Sequence, residues 1–208
     1  MRIKREVALA RALALLERTQ QRSIIAIIGK PGVGKSTFSK YLSENLPNHL
    51  VAFVPMDGFH LSNKVLKDLG RSDRKGAPDT FDVDGYVALL QRIKNSPDHT
   101  IYFPIFDRAI EESIAAEGVV KPEVQLVITE GNYLLHNEGG WQGVAPLIDE
   151  SWALELPNAL RMSRLINRHI AFGRTPEAAK EWAEGSDEKN AEIIGASEGR
   201  ADFTIEVD

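Results

Sequence analysis

The sequence predicts an α/β protein of three layers, α/β/α, built on a mainly parallel sheet and carrying a small helical lid. Three observations lead there. Short apolar runs at residues 24–28, 50–54 and 124–128 alternate with stretches whose apolar residues recur at helical spacing, the pattern of successive β-α units. Apart from Gln125 the runs are apolar at consecutive positions, as in strands covered on both faces. Each is followed within a few residues by a polar or glycine-rich segment, and in open parallel sheets the carboxyl ends of the strands share one edge where ligands bind.

A chain of 208 residues suits one such domain, expected to span 1–208 with the lid at about 161–185. A formal net charge of -5 argues against a general nucleic-acid surface. The absence of cysteine excludes disulfides, thiolate zinc sites and a cysteine nucleophile. No apolar run approaches the ~20 residues that span a bilayer, and residues 2–18 show no cleavable signal pattern. A cytoplasmic protein without membrane insertion is expected, with self-association as a homodimer left open.

In chain order, Val7, Ala10, Leu13, Ala14 and Leu16 predict a helix over residues 2–18 that packs on the sheet and runs straight into the first strand. A membrane or transit helix is the competing reading of this Arg-bearing segment, and the lack of a linker favours the packed one. Residues 24–28 form the first strand, and Gly29-Lys30-Pro31-Gly32-Val33-Gly34-Lys35-Ser36-Thr37 follow it directly. They fit G-x-x-x-x-G-K-[ST] in full, ahead of a helix carrying Phe38, Tyr41, Leu42 and Leu46 and stopped at Pro47-Asn48. The glycines let backbone N–H groups converge on phosphate oxygens, and the helix N-terminus adds positive potential there. This predicts a nucleoside triphosphate cradled by residues 29–37, with Lys35 on its β- and γ-phosphates and Ser36 completing a Mg²⁺ shell.

The second strand, residues 50–55, ends at Asp57. Residues 61–82 read as a long polar loop with one short helix, a length that marks functional or mobile segments. Asp82 caps a helix bearing Val83, Val87, Leu90 and Ile93. Residues 100–104 are the third strand of the series and lead to Asp107 and Arg108. Residues 124–129 are the fourth and end at Glu130; 151–156 and 203–207 complete the set. From Asn158 a helix places Arg161, Arg164 and Arg168 on one face and Met162, Leu165, Ile166 and His169 on another. It runs into the glycine–proline break Phe172-Gly173-Arg174-Thr175-Pro176.

The phosphate loop, Asp57 and Glu130 thus fall at strand carboxyl ends, and phosphoryl transfer needs such a meeting. Asp57 suits the base that takes the proton of an attacking hydroxyl, and Glu130 suits the metal partner beside Ser36. A cap or a salt bridge at a strand end is the plainer explanation of each carboxylate. An arginine face leading into a hinge can close over a nucleotide, Arg168 neutralising charge on the transferred group and Arg164 and Arg174 holding the nucleotide. A solvated helix face explains the same arginines without function. His169 reads as a packing residue. On the acceptor side, Asp107 suits acceptor hydroxyls and Arg108 an anionic group, while an internal Asp107–Arg108 cap or ion pair fits equally. His60 and Asn132, close behind the two carboxylates, could also face the acceptor; His60 fits equally a satisfied loop histidine.

At these residues the sequence resembles the phosphoribulokinase, uridine kinase and bacterial pantothenate kinase superfamily of P-loop kinases. The resemblance rests on residues 29–36, 57–60, 104–107, 130–132 and 164–174. It is closest to bacterial proteins called fructose-transport-system kinases or fructokinases, through Pro55-Met56-Asp57-Gly58-Phe59-His60-Leu61, Pro78-Asp79-Thr80-Phe81-Asp82 and Glu130-Gly131-Asn132-Tyr133-Leu134-Leu135. It implies a P-loop NTPase fold and an ATP- and Mg²⁺-dependent kinase acting on a small hydroxyl-bearing acceptor, fructose-like or, alternatively, nucleoside- or pantothenate-like. It makes Asp57 the base, Glu130 the Walker-B-like acid, and Arg164, Arg168 and Arg174 lid arginines. Uridine kinases carry Asp-Ser-Phe-Tyr where this chain has Asp57-Gly58-Phe59-His60, and Arg108 follows Asp107 where they place a histidine. A P-loop ATPase switch or a regulatory nucleotide-binding module is the reading from another class. The final aspartate of a guanine-reading Asn-Lys-x-Asp is missing at Asn63-Lys64-Val65-Leu66.

Overall fold

The computed structural model describes residues 1–17 and 22–207. A short strand, β1 (Arg2–Ile3), precedes helix α1 (Arg5–Leu16). The expected direct junction between helix and strand, with Arg18, lies outside the described residues. Then come β2 (Ser23–Ile28), α2 (Lys35–Asn45), β3 (Val51–Pro55), α3 (Asn63–Asp68) and α4 (Val83–Asn95). A hairpin of β4 (Ile101–Asp107) and β5 (Glu112–Val120) follows, then β6 (Leu126–Gly131) and β7 (Glu150–Glu155). The chain ends with α5 (Asn158–Ala171), α6 (Pro176–Trp182), a π-helical stretch Ala183–Asp187, α7 (Glu188–Glu198) and β8 (Phe203–Glu206). Among the described residues no helix is long and apolar enough to cross a membrane.

Six strands form one sheet in the order β1-β8-β7-β2-β6-β3, every pairing parallel. β2 is central because Ser-Ile-Ile-Ala-Ile-Ile is buried at all six positions. Its residues feed two cores alternately. Ile24, Ala26 and Ile28 meet α4, Met56, Tyr133 and Trp141 on one face, while Ile25 and Ile27 meet α1, α2 and Trp152 on the other. These are the two helix layers the alternation of runs predicts.

The third predicted strand does not join this sheet. β4 pairs antiparallel with β5 in a separate two-stranded ribbon. Pro104 explains the first half of this: it has no N–H for a ladder, and the register shifts between Phe103 and Ile105. β5 was invisible because Glu-Ser-Ile-Ala-Ala-Glu-Gly is poor in strand formers and its first half is exposed. The long loop is also not loose. Tyr133 Oη donates to Gly76 O at 2.6 Å and Trp141 Nε1 to Pro78 O at 3.1 Å, tying residues 76–78 to the core. α4 starts where Asp82 Oδ1 accepts from Gly85 N at 3.0 Å, as expected of its cap.

Candidate active site

The phosphate loop leaves β2 at Gly29 and enters α2 through Gly34, whose φ of +103° is left-handed. Its shape is held from below by α5. A β-carbon at Gly32 (φ +83°) would lie 2.7 Å from Arg161 O, so only glycine lets the loop rest on that helix. Val33 is buried, and Pro31 O accepts from Arg161 Nη1 at 3.1 Å. Arg161 also bonds Asn158 Oδ1 and Glu188, and it is only 2% exposed. It therefore departs from the open arginine face expected of residues 161, 164 and 168: it is a buried strut under the loop. Thr37 and Ser36 are exposed at the start of α2, where the helix leaves its first amides unpaired.

Lys35 Nζ donates to Gly29 O at 2.6 Å and to Asn132 Oδ1 at 2.7 Å. Burial lowers its pKa to about 8, although Glu130 and Asp57 pull it upward. Asn132 accordingly sits at the head of the phosphate-loop lysine. Ser36 Oγ donates to Glu130 Oε1 at 3.2 Å, while Glu130 Oε2 is buried with no partner. Burial pushes the Glu130 carboxyl up, opposed by Lys35. A hydroxyl beside a carboxylate with one orphaned oxygen fits Mg²⁺, which keeps several waters and takes substrate phosphates. Among the described residues no three His, Cys, Asp or Glu converge as an all-protein metal cage. A cleft of about 380 Å³ opens from this point between α2 and β3–β6, lined in part by Ser36, Ser39, Phe53 and Glu130.

Asp57 lies in a 3-10 turn, Met56–Phe59, directly beyond β3. The turn touches the β4–β5 ribbon so closely that a β-carbon on Gly58 would lie 2.0 Å from Pro104 O. That contact explains glycine rather than the serine of uridine kinases. It also brings Arg108 Nη2 to Asp57 Oδ2 at 2.8 Å. Asp107 Oδ1 accepts from Ala109 N at 2.7 Å, so Asp107 caps the ribbon's turn and Arg108 pairs with Asp57 rather than with its neighbour. His60 Nδ1 donates to Asp57 O at 2.8 Å, and its ring meets Phe81 and Phe106 at 4.1 and 4.8 Å. Burial holds the imidazole below its ordinary range, opposed by Asp57.

On α5, Arg168 is exposed and within electrostatic reach of Asp57, Glu130 and Asp187. The Arg164 guanidinium lies against Gly34: a β-carbon there would be 3.9 Å from Nη1. Arg174 is exposed beyond the helix and lies over the Trp182 ring at 4.2 Å. His169, expected only to pack, is bonded through Nε2 to Asp187 Oδ2 at 2.6 Å, joining α5 to the π-helical stretch. The fold thus gathers Lys35, Ser36, Asp57, Glu130, Asn132, Arg108 and Arg168 at one sheet edge and leaves Arg174 apart. Sequence reasoning missed Lys75, whose Nζ reaches Asn63 Oδ1 at 2.7 Å and Glu111 O at 2.6 Å beside Phe106. It stands in a polar loop with no motif to mark it.

A phosphate loop on the central strand, with carboxylates at the ends of β3 and β6 and an arginine-bearing helix packed against the loop, defines the class of P-loop kinases. The model of the phosphoribulokinase / uridine kinase family matches residues 24–207, and the chain belongs to that family. It is an ATP-dependent phosphotransferase that acts on a hydroxyl of a small molecule. It is 34% identical over 197 residues to a candidate uridine kinase of Schizosaccharomyces pombe, covering 88% of this chain and 82% of that one. It is 31% identical over 192 residues to the uncharacterized protein YggC of Escherichia coli K12, covering 90% and 79%. A candidate fructose transport system kinase from Silicibacter sp. TM1040 matches with a TM-score of 0.85 and 39% identity, over 94% of this chain and 97% of that one.

Proposed function

We propose that this kinase phosphorylates a sugar-like polyol, with Asp57 as base and Mg²⁺ as cofactor. The observation that carries the reading is the Asp57 carboxylate, placed beyond the end of β3 on the edge that bears the phosphate loop, and within electrostatic reach of Lys35 and Arg168. In the step, Asp57 takes the proton of the acceptor hydroxyl and that oxygen bonds to the γ-phosphorus. The bond from the γ-phosphorus to the bridging oxygen breaks, and ADP departs with the electron pair. Residues 29–37 hold the triphosphate, with Lys35 leaving Asn132 and Gly29 for the phosphates. Arg164 faces the loop at Gly34, Arg168 neutralises the transferred group, and Arg174 belongs to the segment that closes over the site. Ser36 and Glu130 would hold Mg²⁺, which would supply charge neutralisation to the triphosphate. The sugar is suggested by the 39%-identical relative from Silicibacter, a candidate fructose transport system kinase.

The test is ADP formation across sugars, nucleosides and pantothenate-like alcohols. One class of alcohol should accelerate it, and Asp57→Asn should lower kcat by roughly two to four decades with ATP binding nearly unchanged. Full turnover in that variant removes Asp57 as base, and hydrolysis that no alcohol accelerates favours an ATPase switch.

A further inference from the structure

We propose that Asn132 is a positioning residue for the phosphate-loop lysine: it parks Lys35 in the nucleotide-free protein and yields it to the phosphates, so that this one bond helps set how tightly a di- or triphosphate binds. This rests on the phosphate role given to Lys35 above.

The place of Asn132 follows from strand register. β2 and β6 run parallel with Ile28 beside Gly131, so the next residue of each, Gly29 and Asn132, emerge side by side at the sheet edge. Those two residues hold the lysine. Lys35 Nζ donates to Gly29 O at 2.6 Å and to Asn132 Oδ1 at 2.7 Å. The holder is firmly set. A β-carbon on Gly131 would lie 2.7 Å from Met56 Cβ, so glycine lets the end of β6 rest on the turn that carries Asp57. On the other side Tyr133 is fully buried, and its Oη donates to Gly76 O at 2.6 Å. Asn132 is thus clamped between two buried neighbours, whereas Lys35 swings on a flexible four-carbon stem.

The chemistry of the holder decides what can displace it. An ammonium has three donors and no acceptor. The atoms that accept from Lys35 Nζ are the carbonyl oxygens of Gly29, of the Asn132 side chain and, at a longer 3.5 Å, of Lys30. All three are neutral. Glu130 Oε1 accepts instead from Ser36 Oγ, and Asp57 Oδ2 from Arg108. Neutral oxygens satisfy the donors of an ammonium without cancelling its charge. A phosphate oxygen does both, and a hydrogen bond between charged partners is roughly twice as strong as one between neutral groups. The exchange therefore runs towards phosphate. An aspartate at 132 would have the same shape but would bring the counter-charge itself, and the lysine would gain little by leaving. Asparagine holds the lysine without trapping it.

The test is calorimetry on the intact chain with Mg²⁺ and three probes, AMP-PNP, ADP and AMP. Only the first two carry phosphates that Lys35 would leave Asn132 to meet. Asn132→Leu keeps the size of the side chain and removes the oxygen, so the free protein holds its lysine less firmly. Kd for AMP-PNP and for ADP should fall about three- to tenfold, with Kd for AMP unchanged. Asn132→Asp should raise Kd for AMP-PNP about tenfold or more. In a Lys35→Met background, Asn132→Leu should shift Kd by less than about twofold, because the group it acts through is gone. Tightening is the sign that separates a parking residue from a strut or a nucleotide ligand, whose loss weakens binding. Weaker or unchanged AMP-PNP binding in Asn132→Leu overturns the inference, as does equal tightening for AMP or in the Lys35→Met background. If Asn132→Leu fails to fold, Asn132→Asp decides: a Kd for AMP-PNP at or below that of the natural chain overturns the inference. Unchanged AMP-PNP affinity in Lys35→Met alone overturns the phosphate role beneath, whatever Asn132 does.

Discussion

Lys35 illustrates how much one side chain carries. In the free protein it is buried against Gly29 O and Asn132, and its pKa is lowered to about 8. In the proposed complex the triphosphate adds a counter-charge where burial has removed water, so the pKa rises. Below pH 8 the lysine is protonated in both states and ATP affinity is level. Above pH 8 the free protein has lost a proton that the complex retains, so affinity falls by up to about tenfold per pH unit and binding takes up a proton. Calorimetry in buffers of different ionisation heat measures this directly. Uptake should be near zero at pH 7 and approach one proton at pH 9; no uptake at pH 9 would assign the shifted group elsewhere. Asn132 shares this site through a bond spanning 97 residues of chain.

At the scale of elements, two contacts set the geometry of the site. The turn after β3 is pressed onto the β4–β5 ribbon at Gly58, which is why Arg108 can reach Asp57. The phosphate loop is pressed onto α5 at Gly32 and tied there by Arg161. Arg161 satisfies Pro31 O, Asn158 and Glu188 together, so Arg161→Met leaves a carbonyl, an amide and a carboxylate without their donor. The expected loss is about 2–4 kcal/mol, below that of a wholly buried pair because Glu188 is 36% exposed. Urea denaturation measures it, and KM for ATP should rise as the loop loses its support. A change within about 0.5 kcal/mol would show that the strut contributes little. The helix period put Arg161 on one stripe with Arg164 and Arg168; burial against α7 separates them.

Across the whole molecule, the sheet divides the structure into two cores, and the site lies where elements from both faces meet at the strand ends. The two irregular segments around it differ in kind. Residues 76–82 are fastened by Tyr133, by Trp141 and by Thr80, whose Oγ1 accepts from Gly76 N at 2.9 Å. Residues 171–177 are exposed throughout, with Gly173 left-handed at +95°. Hydrogen exchange should accordingly be slower at 76–82 than at 171–177, and ATP should slow the second segment far more than the first. Equal protection in the absence of ATP would place the mobile part of the site elsewhere. The strand-and-helix alternation, the phosphate loop and the two strand-end carboxylates were all legible in the sequence. The ribbon was not, because β5 lacks strand formers and β4 contains a proline that only an unpaired position tolerates.

By itself the sequence determined that this chain folds as a parallel α/β sheet and binds a triphosphate. Apolar runs, helical periods and a glycine-rich loop are local patterns, and local backbone geometry follows from them. Only the tertiary structure decided what each polar group faces: Lys35 on Asn132, Arg161 beneath the loop, and Arg108 on Asp57 across 51 residues. Those pairings depend on how separate elements settle against one another, at Gly32 and Gly58 above all, and no spacing along the chain encodes that distance.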